Sequence, residues 1–179
     1  MLKGWPDTFY QKLQSALFCQ RLTNVKISVN CNHNMINVIE LGKDFFFGGN
    51  ATFTIKSERT NEHRTFKIRK TKPTPRFPTP ACFVSLLTGS NNETDFTYLG
   101  LVDEKTGFFR LTKNSKHNES SPDIVILKWF LRHLFSDMTL QNATINHTGR
   151  CGCCGRLLTV PESVTRGIGP ECWSRICGA

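Results

Sequence analysis

The sequence holds no apolar run long enough to cross a membrane; its most apolar pieces, DFFFGG and DIVILKWFLRHLF, are short or amphipathic. The opening MLKGWPDTFYQKLQSALFCQ has an early lysine but no continuous apolar region and no small-residue cleavage site. Secretion is therefore not expected, and a cytoplasmic location is. Acidic residues are scarce: 14 Asp and Glu stand against 23 Lys and Arg, a formal charge of +9. That balance favours polyanionic partners, nucleic acid or an acidic protein face. The motifs of the familiar enzyme classes are missing as well. There is no P-loop, no GxSxG, no HExxH and no glycine fingerprint after a strand, and the P-C-x-x-C half of the zinc-deaminase signature is absent. Five scattered histidines do not define a catalytic set, so the chain is not expected to be an enzyme. A small metal-assisted nuclease is the least supported reading.

Apolar residues make up 39% of the 179 positions, enough for a folded core. Residues 8–22 carry apolar side chains at helical spacing, and 25–30 and 35–41 have strand character. After the break at Gly48-Gly49, 51–57 and 64–70 alternate around the turn ERTNEH and form a hairpin. TKPTPRFPTPA, with Pro73, Pro75, Pro78 and Pro80, suits an extended loop. Segments 82–89, 95–102 and 108–112 with short turns between them continue an antiparallel meander.

SSPDIVILKWFLRHLF is the strongest helix signal. Ser121 is placed to cap, Pro122 suits the first turn, and Asp123 sits at the positive end of the dipole. Ile124, Leu127, Leu131 and Leu134 or Phe135 line one face, which must pack on the sheet. Phe45, Phe46, Phe47, Phe108, Phe109, Trp129 and Phe130 are core candidates, and Cys19, Cys31 and Cys82 are expected as buried small hydrophobes. The expected architecture is α+β: residues 1–47 with a helix and strands, an antiparallel meander packed by a helix over 48–140, and a cysteine-rich module at 141–179.

Five of the eight cysteines fall within residues 146–177. The five N-x-S/T sequons starting at Asn50, Asn92, Asn118, Asn142 and Asn146 would suit a glycoprotein, but without a secretion signal they are read as chance. In a reducing compartment clustered cysteines bind metal more often than they pair. Cys151 and Cys154 form a C-x2-C pair, which on a tight turn aims both sulfurs at one ion. Cys172 follows GIGP, where Pro170 can open a short helix and place the thiolate near its N-terminus. Zinc takes four such N/S ligands tetrahedrally. Spacing leaves the fourth ligand open among His147, Cys153 and Cys177. A thioredoxin-like CxxC would need a βαβ context that is absent.

The stretch GRCGCCGRLLTVPESVTRGIGPECW resembles the GRCxxCGRxLTxPES…GxGPxC module of a family of uncharacterised phage and prophage proteins. The upstream pieces ATFTIKSERTNEHRTFKIRK, FVSLLTGSNNETDFTYLGLV and FFRLTKNSKHNESSPD…LKWFLRHL resemble the domain preceding it, so the likeness spans roughly residues 48–173. It implies a zinc ion held by His147, Cys151, Cys154 and Cys172, because the family pattern carries a histidine four residues before its first cysteine. It implies no activity.

Basic residues gather on the hairpin and the loop after it. In RTFKIRK, alternation sends Phe66 and Ile68 to one face and Lys67 and Arg69 to the other; Arg64, Lys70, Lys72 and Arg76 extend the cluster. Arg110, Lys113 and Lys116 form a second group. Arg156 and Arg166 crowd the cysteine module together with Arg150 and Arg175, beside Trp173, which is placed to stack on a base. Charged stripes on exposed strands are commonly only solvated faces, but here basic residues recur in hairpin, meander and module. The expected function is that of a phage-type small basic zinc protein contacting nucleic acid through the hairpin and the module. The alternative is a protein-binding inhibitor of a host nucleic-acid machine, such as a defence nuclease or a CRISPR complex.

Overall fold

In the computed structural model, residues 36–37, 41–75, 78–136, 140 and 142–178 are described. The helix expected over 8–22, the strand over 25–30, and Cys19 and Cys31 lie outside them. Among the described residues seven strands, β1 (Ile36–Asn37), β2 (Asn50–Ser57), β3 (His63–Lys70), β4 (Cys82–Leu87), β5 (Phe96–Val102), β6 (Phe109–Arg110) and β7 (Ala143–His147), make one sheet. Its order is β1-β7-β2-β3-β4-β5-β6, every pairing antiparallel. The meander from β2 to β6 thus forms as its alternation and short turns dictate. β7 adds to the free side of β2, pairing Phe53 with His147 and Ile55 with Ile145.

Among the described residues four helices accompany the sheet: α1 (Lys43–Phe46), α2 (Pro122–Phe135), α3 (Pro161–Arg166) and α4 (Pro170–Cys177). α2 occupies the span that its start signals and apolar stripe predict. Ile124, Leu127, Phe130 and Leu131 are buried from it, and Phe130 meets Phe46 and Phe53 at ring-centroid distances of 5.0 Å each. Ser121 differs from expectation. It stands at the N-cap position but makes no side-chain cap bond; its hydroxyl turns back to the Asn118 side chain at 3.1 Å instead. Asp123, in the first turn, binds Arg64 of β3 at 2.7 Å, so helix and hairpin are also joined by charge.

Phe45, Phe46 and Phe47 enter the core, and so does Cys82. Phe108 does not: it is 68% exposed, because the strand alternation gives the inward position to Phe109. Leu41 and Phe45 before β2, and Cys151, Ile168 and Cys172 after β7, share that core. The sheet and core therefore run across residues 47–48 and 140–141. The proline-rich loop is held at its neck, where Thr71 N–H donates to the Ala81 carbonyl and Ala81 N–H to the Thr71 hydroxyl, each at 2.9 Å.

Candidate functional site

The cysteine module grows from the end of β7. Residues 150–157 close a knuckle, with Arg150 bridged to Leu157 and Cys151 N–H donating to the Arg156 carbonyl at 2.8 Å. Gly155 N–H returns to the Cys151 carbonyl at 2.8 Å, and the glycine's φ of +75° is a left-handed conformation that side chains disfavour. Such a knuckle turns consecutive backbone N–H groups towards the first sulfur. The N–H groups of Gly169, Cys154 and Cys153 all bond Cys151 Sγ, Gly169 at 3.4 Å.

Cys151, Cys153 and Cys172 bring their sulfurs within 4.8 Å of one another, close enough to hold a metal ion. Cys153 is seated over the Gly48-Gly49 break: a Cβ on Gly48 would lie 2.6 Å from its sulfur. The break in the strand pattern thereby makes room for a side chain a hundred residues further on. Cys172 projects from the first turn of α4, which Pro170 opens as expected, and Arg175 Nη2 donates to its sulfur at 3.1 Å. Cys154 is exposed and outside the 4.8 Å group, but its thiol bonds those of Cys151 and Cys172.

The acidities follow from these surroundings. Burial acts to raise the Cys151 pKa, but the N–H donors of Gly169, Cys154 and Cys153 outweigh it and bring the thiol down to about 7. Cys153 is pushed up to about 12, first by burial and then by the neighbouring Cys151 and Cys172 sulfurs. Cys172 rises to about 11; burial leads, so its place on the α4 N-terminus does not dominate. Three sulfurs this close oppose one another's ionisation, and a cation between them would relieve that repulsion.

His147, implied as the fourth ligand by the family resemblance, is placed differently. It is 2% exposed. Its Nδ1 accepts from Gly149 N–H at 3.2 Å, which leaves Nε2 to donate to the Val164 carbonyl at 2.9 Å. Both ring nitrogens are thus used by the backbone, and burial lowers its pKa against the opposing Val164 bond. The histidine ties β7 to α3 rather than facing the sulfurs.

The cations of the hairpin divide into two kinds. Arg64 is held by Asp123 and Lys70 by Glu104 at 2.6 Å. Lys67 and Arg69 stand on the other face, Lys67 with its ammonium 4.8 Å from the Phe96 ring centroid, and neither meets a carboxylate among the described residues. Lys72 is exposed in the loop; Arg76 lies outside the described residues. In the module Arg156 reaches Glu171 at 3.5 Å, and Arg166 lies 4.5 Å over the Trp173 ring, so that indole face is already covered by a cation.

Residues 141–176 match a family of unknown function, DUF6011. The match takes in β7, the knuckle, α3 and nearly all of α4, and does not extend over the meander to which the wider resemblance reached. No curated protein and no solved structure matches the chain. What spacing could not show is the preference for Cys153 over Cys154 in the three-sulfur group. That choice depends on Gly48, whose lack of a side chain matters only once the chain has folded.

Proposed function

We propose that this is a small basic zinc-binding protein of phage type that contacts nucleic acid through the outward face of the β2–β3 hairpin, with the module as a second basic contact. The observation carrying the proposal is the pair Lys67 and Arg69, which point away from the core and have no carboxylate partner among the described residues. Uncompensated cations on an exposed strand are what neutralising phosphates requires. The metal is structural in this reading. Cys151, Cys153 and Cys172, completed by Cys154, form a thiolate set that suits zinc, whose tetrahedral Zn–S bonds of about 2.3 Å place sulfurs roughly 4 Å apart. When bound, the ion neutralises the thiolates and holds the knuckle to α4. The cluster rests against Phe45 and Leu41 through Gly152 and Gly167, so metal binding and core packing reinforce each other.

The test is a titration of the purified protein with short DNA and RNA at two salt concentrations, repeated on Lys67→Glu/Arg69→Glu. The proposal expects binding that weakens steeply with salt, with the slope falling by roughly one per lost phosphate contact. Unchanged binding by a folded double variant would return the stripe to a solvated face. Absence of nucleic-acid binding, with a host nucleic-acid enzyme captured and lost again in the variant, would favour the protein-directed inhibitor. Elemental analysis of protein purified without added zinc is expected to give about one equivalent, as closed four-ligand sites retain their ion.

A further inference from the structure

The face of the sheet opposite the core has a composition that the hairpin alone does not reveal. Pairing fixes which side chains share it. Arg69 is opposite Phe83, Phe83 opposite Leu101, and Leu101 opposite Arg110. The next row runs from Lys67 through Ser85 to Tyr98. Two contacts confirm that these side chains lie on one side: the Phe83 and Tyr98 rings are 6.0 Å apart, and Lys67 sits over the Phe96 ring. Phe83 is 37% exposed, one of the few large apolar side chains among the described residues that are. An aromatic at that position, flanked by arginines within about 10 Å on either side given strand spacing near 4.8 Å, is not explained by core packing.

We infer that this face is a stacking platform for single-stranded nucleic acid, with Phe83 and Tyr98 receiving bases and Lys67, Arg69 and Arg110 facing phosphates. The inference deepens the proposed function and rests on it for the charge, but it adds a ligand class. Bases in a duplex are already stacked on each other and cannot lie on a protein ring. Bases of a single strand can, and the contact tolerates any sequence because every base has a π-face. Charge complementarity selects the occupant. The three cations make no carboxylate contact among the described residues, and the outward positions of the paired strands carry no Asp or Glu. A second copy of this chain would bring the same positive charge against it. The Tyr98 hydroxyl is 3.2 Å from the Thr112 hydroxyl, a bond that anchors the ring at its far end.

The experiment measures the affinity of the full chain for a labelled single-stranded oligonucleotide and for the duplex of the same sequence, each at two salt concentrations. Phe83→Leu keeps an apolar side chain and removes the ring. It is expected to weaken single-strand binding roughly five- to hundredfold, with the salt slope and the duplex affinity unchanged. Arg69→Gln is expected to lower the slope instead. Equal affinity for single strand and duplex, or single-strand binding untouched in Phe83→Leu, would overturn the platform while leaving the charge-driven reading standing. No binding of either nucleic acid would overturn both. Thermal melting and metal content of Phe83→Leu matching wild type would establish that a lost affinity is not lost folding. Should that variant fail to fold, Tyr98→Leu carries the same comparison.

Discussion

The α-carbon of Gly152 lies so close to Phe45 that a Cβ built on it would stand 2.5 Å from the Phe45 carbonyl oxygen and 2.6 Å from its ring. The same residue is bonded on both sides, its carbonyl accepting from Asn50 N–H at 2.6 Å and its N–H donating to Gly167 at 2.9 Å. The knuckle therefore cannot back away from α1. Gly152→Ala is expected to cost about 1–3 kcal/mol in chemical denaturation, the range of overpacked sites. Gly42→Ala, which meets nothing within 4 Å, serves as the neutral comparison. Equal midpoints for the two variants would show that the module is not packed against Phe45.

Removing a sulfur and removing the histidine should have different signatures. Cys153→Ser and Cys172→Ser are expected to lower bound zinc well below one equivalent. His147→Gln is expected to retain the metal while losing about 1–3 kcal/mol of stability, because its buried bond to Val164 is broken. Metal analysis beside denaturation separates the outcomes. Zinc lost from His147→Gln but kept by Cys153→Ser would restore the ligand set that the family resemblance implied.

Leu127, fully buried on α2, tests the packing of helix on sheet. Leu127→Ala should cost about 2–5 kcal/mol through lost contacts and a cavity. Leu127→Asp should abolish cooperative melting by burying an unpaired charge. A soluble, cooperatively melting Leu127→Asp protein would place that face away from the core.

Asp103 offers a prediction in pH. The Thr106 hydroxyl first, then the Thr106 and Lys105 N–H groups, hold its carboxyl below the ordinary value of 3.8. A folded pKa lowered in this way gives stability that is present above the unfolded value and lost as pH falls through the folded one. Carboxyl-carbon NMR titration should find Asp103 below 3.8 in the wild type and closer to it in Thr106→Ala, where only the hydroxyl donor is gone. An unchanged midpoint in that variant would assign the effect to the backbone donors alone.

Much of the fold was legible because its signals are local. The meander follows from period-two alternation, and α2 from a proline, an acidic first turn and an apolar stripe. What escaped depends on distant neighbours. Ser121 has the chemistry of a cap, yet Asn118 competes for its hydroxyl. Adjacent Phe108 and Phe109 look alike in sequence, and only the phase of a two-residue strand decides which is buried. Two of the expected ligands, Cys151 and Cys172, enter the three-sulfur group; His147 is diverted by Val164, and Cys153 is admitted by Gly48. The ring contact of Phe83 with Tyr98 likewise required the register, including the irregularity between Val84 and Ser85.

The insertion of β7 between β1 and β2 has a consequence for the order of assembly on the ribosome. β2 to β6 can pair as soon as they emerge, each with its neighbour in time. The outer edge of β2 must then wait, its N–H and C=O groups unmet, until residues 143–147 have been made. During synthesis the nascent meander carries an open strand edge of the kind that recruits other chains. The cysteine module, by bringing β7 with it, closes that edge last. A chain interrupted near residue 140 would keep the edge for good.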